Sequence, residues 1–552
     1  MVRKTTFTFS LCALLAAAAQ AYASADIEDC SWNDPLCLLK GDPILTPGND
    51  SRDNLLRLLS EAKSFALPVQ AIPADVSRIR DVYFAWHPEW NSAPPPPAPS
   101  AQREDETFIQ QMTALNIDPA QVMSADSAER PGTSDYELEN RFVSNTLAAV
   151  SQFNAALFAT PSLTPLQRHD LALARLKLFY GANITAVADI LNSFPADADA
   201  DLFAYYLSGI AHFYGGNYTA ATHDFTLLRE SQQPWLTETA QYMLMRTALN
   251  KSSQNSVGQY GDFDIARINR DDAAQAQNEA QAYLQRWPAG LYADSARNML
   301  RRINWYLQAW PQLAGLYEQA FRQAADAGDL RRLVSEYDNV FGMPFYAQPV
   351  LAAFPDAPQV SYVELLRALR LNADNKPTLT QAQLDASKAA FEKSGNLPLW
   401  RDLQLQLWSA TGNDAAILQA VTPAKTLPAN DILAFSEQVL YGEALMGQTQ
   451  WPAARDFWQQ LLQLSQNPEQ QQYIQAKLAA TLVYSGNAAA IFAADSPVTN
   501  LRFRSRVLKT QASPELLRQQ AAHGPNNEER TIALHTLLVR DLTESRFSDW
   551  LN

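Results

Sequence analysis

Residues Leu202 to Arg229 read LFAYYLSGIAHFYGGNYTAATHDFTLLR, and this stretch decides the fold. Tyr205, Gly209 and His212 fall on one helical stripe. Gly215, Gly216 and Asn217 then break the helix, because Gly and Asn accept the left-handed backbone of a helix C-cap at least cost. A second stripe follows in Tyr218, Ala221, Phe225 and Leu228, at the spacing of one helix face. Two helices joined by a tight turn make a helical hairpin. Small Gly209 and Ala221 let its backbones approach, and Tyr205, Tyr218 and Phe225 fill the space around them. Both small positions should therefore reject a large side chain, while Gly209→Ala is expected to be nearly tolerated.

The same spacing recurs later. Gly442, Trp451, Ala454, Trp458 and Leu461 repeat the intervals of Gly209, Tyr218, Ala221, Phe225 and Leu228. Turn-like segments flank this second set, GNDAAI from Gly412 and GNAAAI from Gly486, 74 residues apart, or twice 37. The aromatic, Gly, turn Gly216, aromatic, Ala and aromatic offsets resemble a tetratricopeptide repeat. Pro234 to Asn250 resembles the first helix of a further repeat. Its partner is delayed by a polar insertion from Lys251 to about Asp271 and arrives at Ala273 to Trp287. Trp287-Pro288 followed by AGLYADSARNML resembles repeat junctions in tetratricopeptide proteins of the bacterial cell envelope. The resemblance covers roughly Ala200 to Phe321. It implies an all-α architecture, an α-solenoid of tetratricopeptide-like hairpins preceded by an irregular disulfide-containing N-terminal segment. The family's lipidation Cys is missing, so membrane attachment is not carried over.

Working outward, the N-terminus reads as a signal peptide over 1–25. Arg3 and Lys4 precede an apolar run from Phe7 to Ala19 and a small-residue cleavage motif at Ala23-Ser24-Ala25. No later segment is apolar enough to span a bilayer, so the mature chain is expected to be periplasmic, with secretion as the alternative. Residues 26–100 form a distinct segment. Turn residues Asn33, Asp34 and Pro35 bring Cys30 and Cys37 together, and an exported compartment permits a disulfide, with two free thiols as the alternative. Arg52 to Leu67 reads as an amphipathic helix, and SAPPPPAPS from Ser92 to Ser100 as a stiff linker. Helical repeats follow over 101–342. Pro344, Pro349, Pro355 and Pro358 rule out a continuous helix, so a boundary or a long Pro-rich loop is expected at 343–360, with a second helical-repeat region over 361–552.

The formal net charge of −15 makes the chain a poor nucleic-acid binder, since phosphate contacts need clustered Lys and Arg and no basic stripe stands out, so no nucleic-acid partner is expected. Catalytic motifs are missing: no HExxH, GxSxG, phosphate loop or CxxC occurs. His212 and His223 lie on opposite helices of the first hairpin, with His223 next to Asp224, and packing is the better reading than a metal or acid–base pair. Glu544-Ser545-Arg546-Phe547 resembles a motif of soluble lytic transglycosylases, but only five residues follow Phe547. No cofactor, metal or catalytic residue is expected. The functional expectation is an exported, non-enzymatic scaffold or adaptor that binds a protein or cell-envelope partner. The alternative is the helical arm of a peptidoglycan-acting enzyme whose catalytic domain lies elsewhere.

Overall fold

The computed structural model describes residues 42–65, 99–118, 145–179, 188, 198–257, 263–345, 349–428 and 431–551. The expected signal peptide, Cys30, Cys37 and residues 92–98 of the Pro-rich stretch lie outside these. The described residues are helical, and their only β contacts are two isolated bridges, Val257 with Phe263 and Leu371 with Pro377. In chain order the helices are α1 Ser51–Ala62, α2 Pro99–Ala114, α3 Leu147–Phe158, α4 Pro165–Phe179, α5 Ala198–Tyr214, α6 Tyr218–Leu228, α7 Pro234–Ser252 and α8 Arg270–Arg286. Then follow α9 Ala293–Tyr306, α10 Trp310–Gln323, α11 Ala327–Tyr337, α12 Pro358–Arg367, α13 Gln381–Lys393, α14 Leu397–Ala410 and α15 Asp414–Ala420. The last are α16 Ile432–Gly447, α17 Trp451–Leu464, α18 Pro468–Tyr484, α19 Leu501–Thr510, α20 Pro514–His523, α21 Asn527–Thr543 and α22 Phe547–Leu551.

Local chemistry sets these bounds. Gly216, Gly412 and Gly486 adopt positive φ (76°, 69° and 75°) at helix ends, where a Cβ would be strained. Asn217 accepts the Ala220 N–H and starts α6. Thr380 and Gln383 form a capping box at α13. Pro occupies the first turn of α7, α12, α14, α17, α18 and α20, where its missing N–H costs nothing. The amphipathic pattern that runs to Leu67 is cut short at Ala62, because Ser64 takes a positive φ of 55°. Thr146 caps α3, its side chain accepting the Ala149 N–H.

Contacts divide the chain into two units, Ser92–Ala320 and Met1–Asn91 with Phe321–Asn552. In the middle unit α5 packs on α6, α6 on α7, α7 on α8 and α8 on α9, and α5 also touches α7. Its core runs from Phe108 to Tyr306 and includes an aromatic cluster in which Phe153 meets Phe203, Tyr206 and Trp235. In the other unit α12 packs on α14, α14 on α16, α16 on α17, α17 on α18, and α20 on α21.

Contacts also cross two of the expected sequence boundaries. The described part of 26–100 before the Pro-rich stretch does not stand alone, since α1 packs on α11, α12 and α16. The Pro-rich 343–360 stretch interrupts the helices, and side chains on either side of it meet. Tyr337 donates to Glu364 across it, and Arg367 Nη1 donates to the Gly342 carbonyl at 2.6 Å. Proline ends a helix locally and says nothing about which side chains meet beyond it.

Candidate functional site

The site begins with a short loop that the C-terminal helices hold by its main chain. Asp42 to Asn49 contains Pro43, Pro47 and Gly48, so it can form neither a helix nor a regular ladder. Side chains satisfy its backbone instead. Asn49 Nδ2 donates to the carbonyls of Asp42 (2.9 Å) and Ile44 (2.8 Å), and Asn49 Oδ1 accepts the Asp42 N–H at 2.7 Å. Asn54 Nδ2 donates to Thr46 O at 2.8 Å. The loop is thus closed on itself and onto the first turn of α1.

Three residues distant in sequence then read it. Leu45 N–H donates to Ser436 Oγ on α16 at 2.8 Å, and Gln406 Nε2 on α14 donates to Leu45 O at 2.7 Å. Ser436 keeps its own proton for Ile432 O, so its hydroxyl is used in both directions. Arg370 donates from Nε to Pro47 O at 2.9 Å and from Nη2 to Asn49 O at 2.7 Å. Leu45 is fully buried and Ile44 nearly so.

Helix α1 fastens the segment further. Leu55, Leu58 and Leu59 are buried, each contributing roughly 1.5–3 kcal/mol of apolar transfer. Arg57 pairs with Glu469 at 3.2 Å. Glu61 accepts the Ile432 N–H in both carboxylate oxygens (2.8 and 2.7 Å), a negative charge at the N-terminus of α16. Burial raises the Glu61 pKa, and the bond from Ile432 opposes that rise. Lys63 Nζ donates to Arg322 O at 2.8 Å, a positive charge at the C-terminus of α10.

Beside the loop lies a cleft of about 560 Å³. Ile44, Thr46 and Pro47 form one wall, and Ser409, Ala410, Leu440, Glu443, Tyr473 and Lys477 come from α14, α16 and α18. Lys477 Nζ contacts Glu443 Oε1 at 2.5 Å and lies 5.0 Å from the Tyr473 ring centroid. Tyr473 OH donates to the same Glu443 oxygen at 3.3 Å. Burial first, and the Glu443 charge second, hold the Tyr473 phenol well above its ordinary pKa. Asp402, one turn before Gln406, accepts from Tyr362 OH at 2.7 Å, and burial pushes its carboxyl up to about 7. The cleft lining thus contains a paired carboxylate and ammonium, Glu443 and Lys477.

The hairpin residues singled out from sequence lie in two other places. In α5–α6, a Cβ on Gly209 would stand 2.8 Å from Phe225 Cε1, so the close approach is to Phe225 rather than to Ala221. Tyr218, Ala221 and Phe225 are buried. Tyr205 is 44% exposed and does not fill the hairpin; its neighbour Tyr206, 4% exposed, does so, stacked on Phe153. In α16–α17, a Cβ on Gly442 would collide with the Trp458 ring and stand 2.9 Å from Phe457. Ala454 and Trp458 are fully buried, whereas Trp451 is half-buried and stacks on Tyr484. His212 does not meet His223, which is exposed. Its Nδ1 lies 2.9 Å from Asp224 Oδ2, which also accepts from Ser208 Oγ at 2.7 Å.

Glu544 ends α21 and pairs with Arg546 at 2.5 Å, and Arg546 also binds Asp541 at 2.8 Å. Ser545 has a positive φ of 58°, so this short motif is a helix stop. Among the described residues there is no cluster of three metal-ligating side chains, and no helix is long and apolar enough to cross a membrane. Sequence reading missed Asp42–Asn49 as a site. The only local signal was its density of Pro, Gly and Asn.

In comparisons with protein-family models, curated proteins and solved structures, nothing matches the chain.

Proposed function

We propose that this protein is an exported, non-enzymatic adaptor. In this reading its tetratricopeptide-like hairpins stack as a superhelix in the bacterial envelope, and it binds a protein or cell-envelope partner on that surface. One observation carries the reading: Ser436, Gln406 and Arg370, on or just after three different helices, hold an irregular polypeptide by its main-chain groups. Helix side chains that satisfy another segment's backbone are the equipment of peptide recognition, since main-chain bonds supply affinity and pockets supply selectivity. Packing of α5 to α9 chiefly on their sequence neighbours supports the stacked arrangement.

The test is in-cell crosslinking followed by purification of the tagged protein from the envelope fraction. A discrete protein adduct, with the mature chain in the periplasmic fraction, is the expected result. Recovery of the full-length chain in cytosol would refute export. Glycan cleavage by the purified protein would overturn the adaptor reading in favour of a peptidoglycan-acting enzyme.

A further inference from the structure

The loop Asp42–Asn49 occupies only part of the surface that receives it. Gln406 and Ser436 bind its main chain. One turn along α14 from Gln406 stand Ser409 and Ala410, and one and two turns along α16 from Ser436 stand Leu440 and Glu443. Residues at such intervals share a helix face. All four line the cleft, and Tyr473 and Lys477, one turn apart on α18, extend it. The cleft is therefore the continuation of a surface that already binds a non-helical chain.

We propose that this cleft binds an extended peptide segment of a protein partner, lying alongside Ile44 and Thr46. The proposal deepens the adaptor reading and rests on it. Leu440 and Ile44 offer an apolar pocket for one aliphatic side chain. Ser409, Glu443 and Lys477 bracket it with a hydroxyl, an acceptor and a donor, the set that a main-chain amide pair requires. The volume suits a few residues, within the roughly 300–1,000 Å³ of ordinary ligand clefts. Its charged lining residues are two acids, Asp42 and Glu443, and two bases, Arg370 and Lys477. The segment is consequently close to neutral, and its affinity depends weakly on salt.

The test pans a random peptide library on the full-length protein and measures binding of the enriched peptides in solution. Enriched peptides should carry an aliphatic residue and lose at least about tenfold in affinity on Ala410→Trp, which fills the cleft. They should change less than about twofold between about 50 and 300 mM salt. Ser409→Phe is the second blocking variant, and helix melting checks that both fold. A benzophenone placed on the peptide should crosslink within 406–410, 440–443 or 473–477, a readout that needs no variant. Failure to enrich any peptide, undiminished binding to folded Ala410→Trp, or crosslinks elsewhere would overturn the proposal. Envelope crosslinking that still captures a protein partner would then leave the adaptor reading standing. Peptide binding here without any envelope protein adduct would sink the adaptor reading alone.

Discussion

The hairpins α5–α6 and α16–α17 build the same glycine–aromatic contact and surround it with opposite chemistry. Gly442 stands 233 residues after Gly209, and Trp458 the same distance after Phe225. At that offset Ser208, His212 and Asp224 correspond to Tyr441, Leu445 and Phe457. The first hairpin joins Ser208 and His212 through the Asp224 carboxylate. The second closes the same space with Tyr441 against Phe457 at 5.0 Å. Tyr205 corresponds to Gln438, exposed in the first hairpin and buried in the second. The glycine contact therefore tolerates either surround, and the backbone approach is what the two hairpins hold in common.

The largest expected effect lies at the shared contact. Gly442→Leu must displace two aromatic rings and should cost about 3 kcal/mol, with Gly209→Leu somewhat less. Gly209→Ala, nearly neutral on propensity alone, should cost about 1 kcal/mol because its Cβ meets the Phe225 ring. Thermal melts followed by circular dichroism read all three. A Gly442→Leu variant melting at or above the parent would remove the equivalence of the two hairpins.

Next comes the contrasting surround. Asp224→Ala leaves Ser208 and His212 without their acceptor and should cost about 1–3 kcal/mol. Converting the set to its counterpart, with Ser208→Tyr, His212→Leu and Asp224→Phe together, should recover that loss. A triple variant less stable than Asp224→Ala would show that the hairpins are not interchangeable.

The second unit adds a pH dependence: buried Asp402 is raised to about 7 by burial. A raised carboxyl binds its proton more tightly folded than unfolded. Asp402 therefore favours the folded state below about pH 4, and that contribution is lost as pH rises through about 7. Asp402→Asn should flatten the fall in melting temperature between these limits. An unchanged pH profile would refute the assignment. The smallest effect contrasts Gln438 with Tyr205. Gln438→Ala strands the Ala424 N–H and should cost about 1 kcal/mol, while exposed Tyr205→Ala should stay within about 0.5 kcal/mol.

Much of the helical pattern was legible because its signals are local. Gly216, Gly412 and Gly486 mark turns, and Gly209 and Gly442 carry correctly spaced aromatics. Tyr205 was misread because it adjoins Tyr206, and a helix stripe assigned from Gly209 alone does not distinguish neighbours a hundred degrees apart. The polar set at Ser208, His212 and Asp224 was not recognised, since its members meet only when two helices pack. The loop at Leu45 was illegible for a stronger reason: its partners lie 361 and 391 residues away. No window of sequence contains both sides of such a contact.

That separation has a consequence for how the molecule is made. Glu61 leaves the ribosome long before the backbone N–H of Ile432 that it caps, 371 residues later. At about 5–20 residues per second the interval is roughly 20–75 s. Leu45 likewise waits for Gln406 and Ser436, 361 and 391 residues later. The middle unit, Ser92–Ala320, has been synthesised well before the wait ends. The growing chain consequently carries the apolar side chains of this early segment through the synthesis of the whole middle section before the last of the helices that bury them is made.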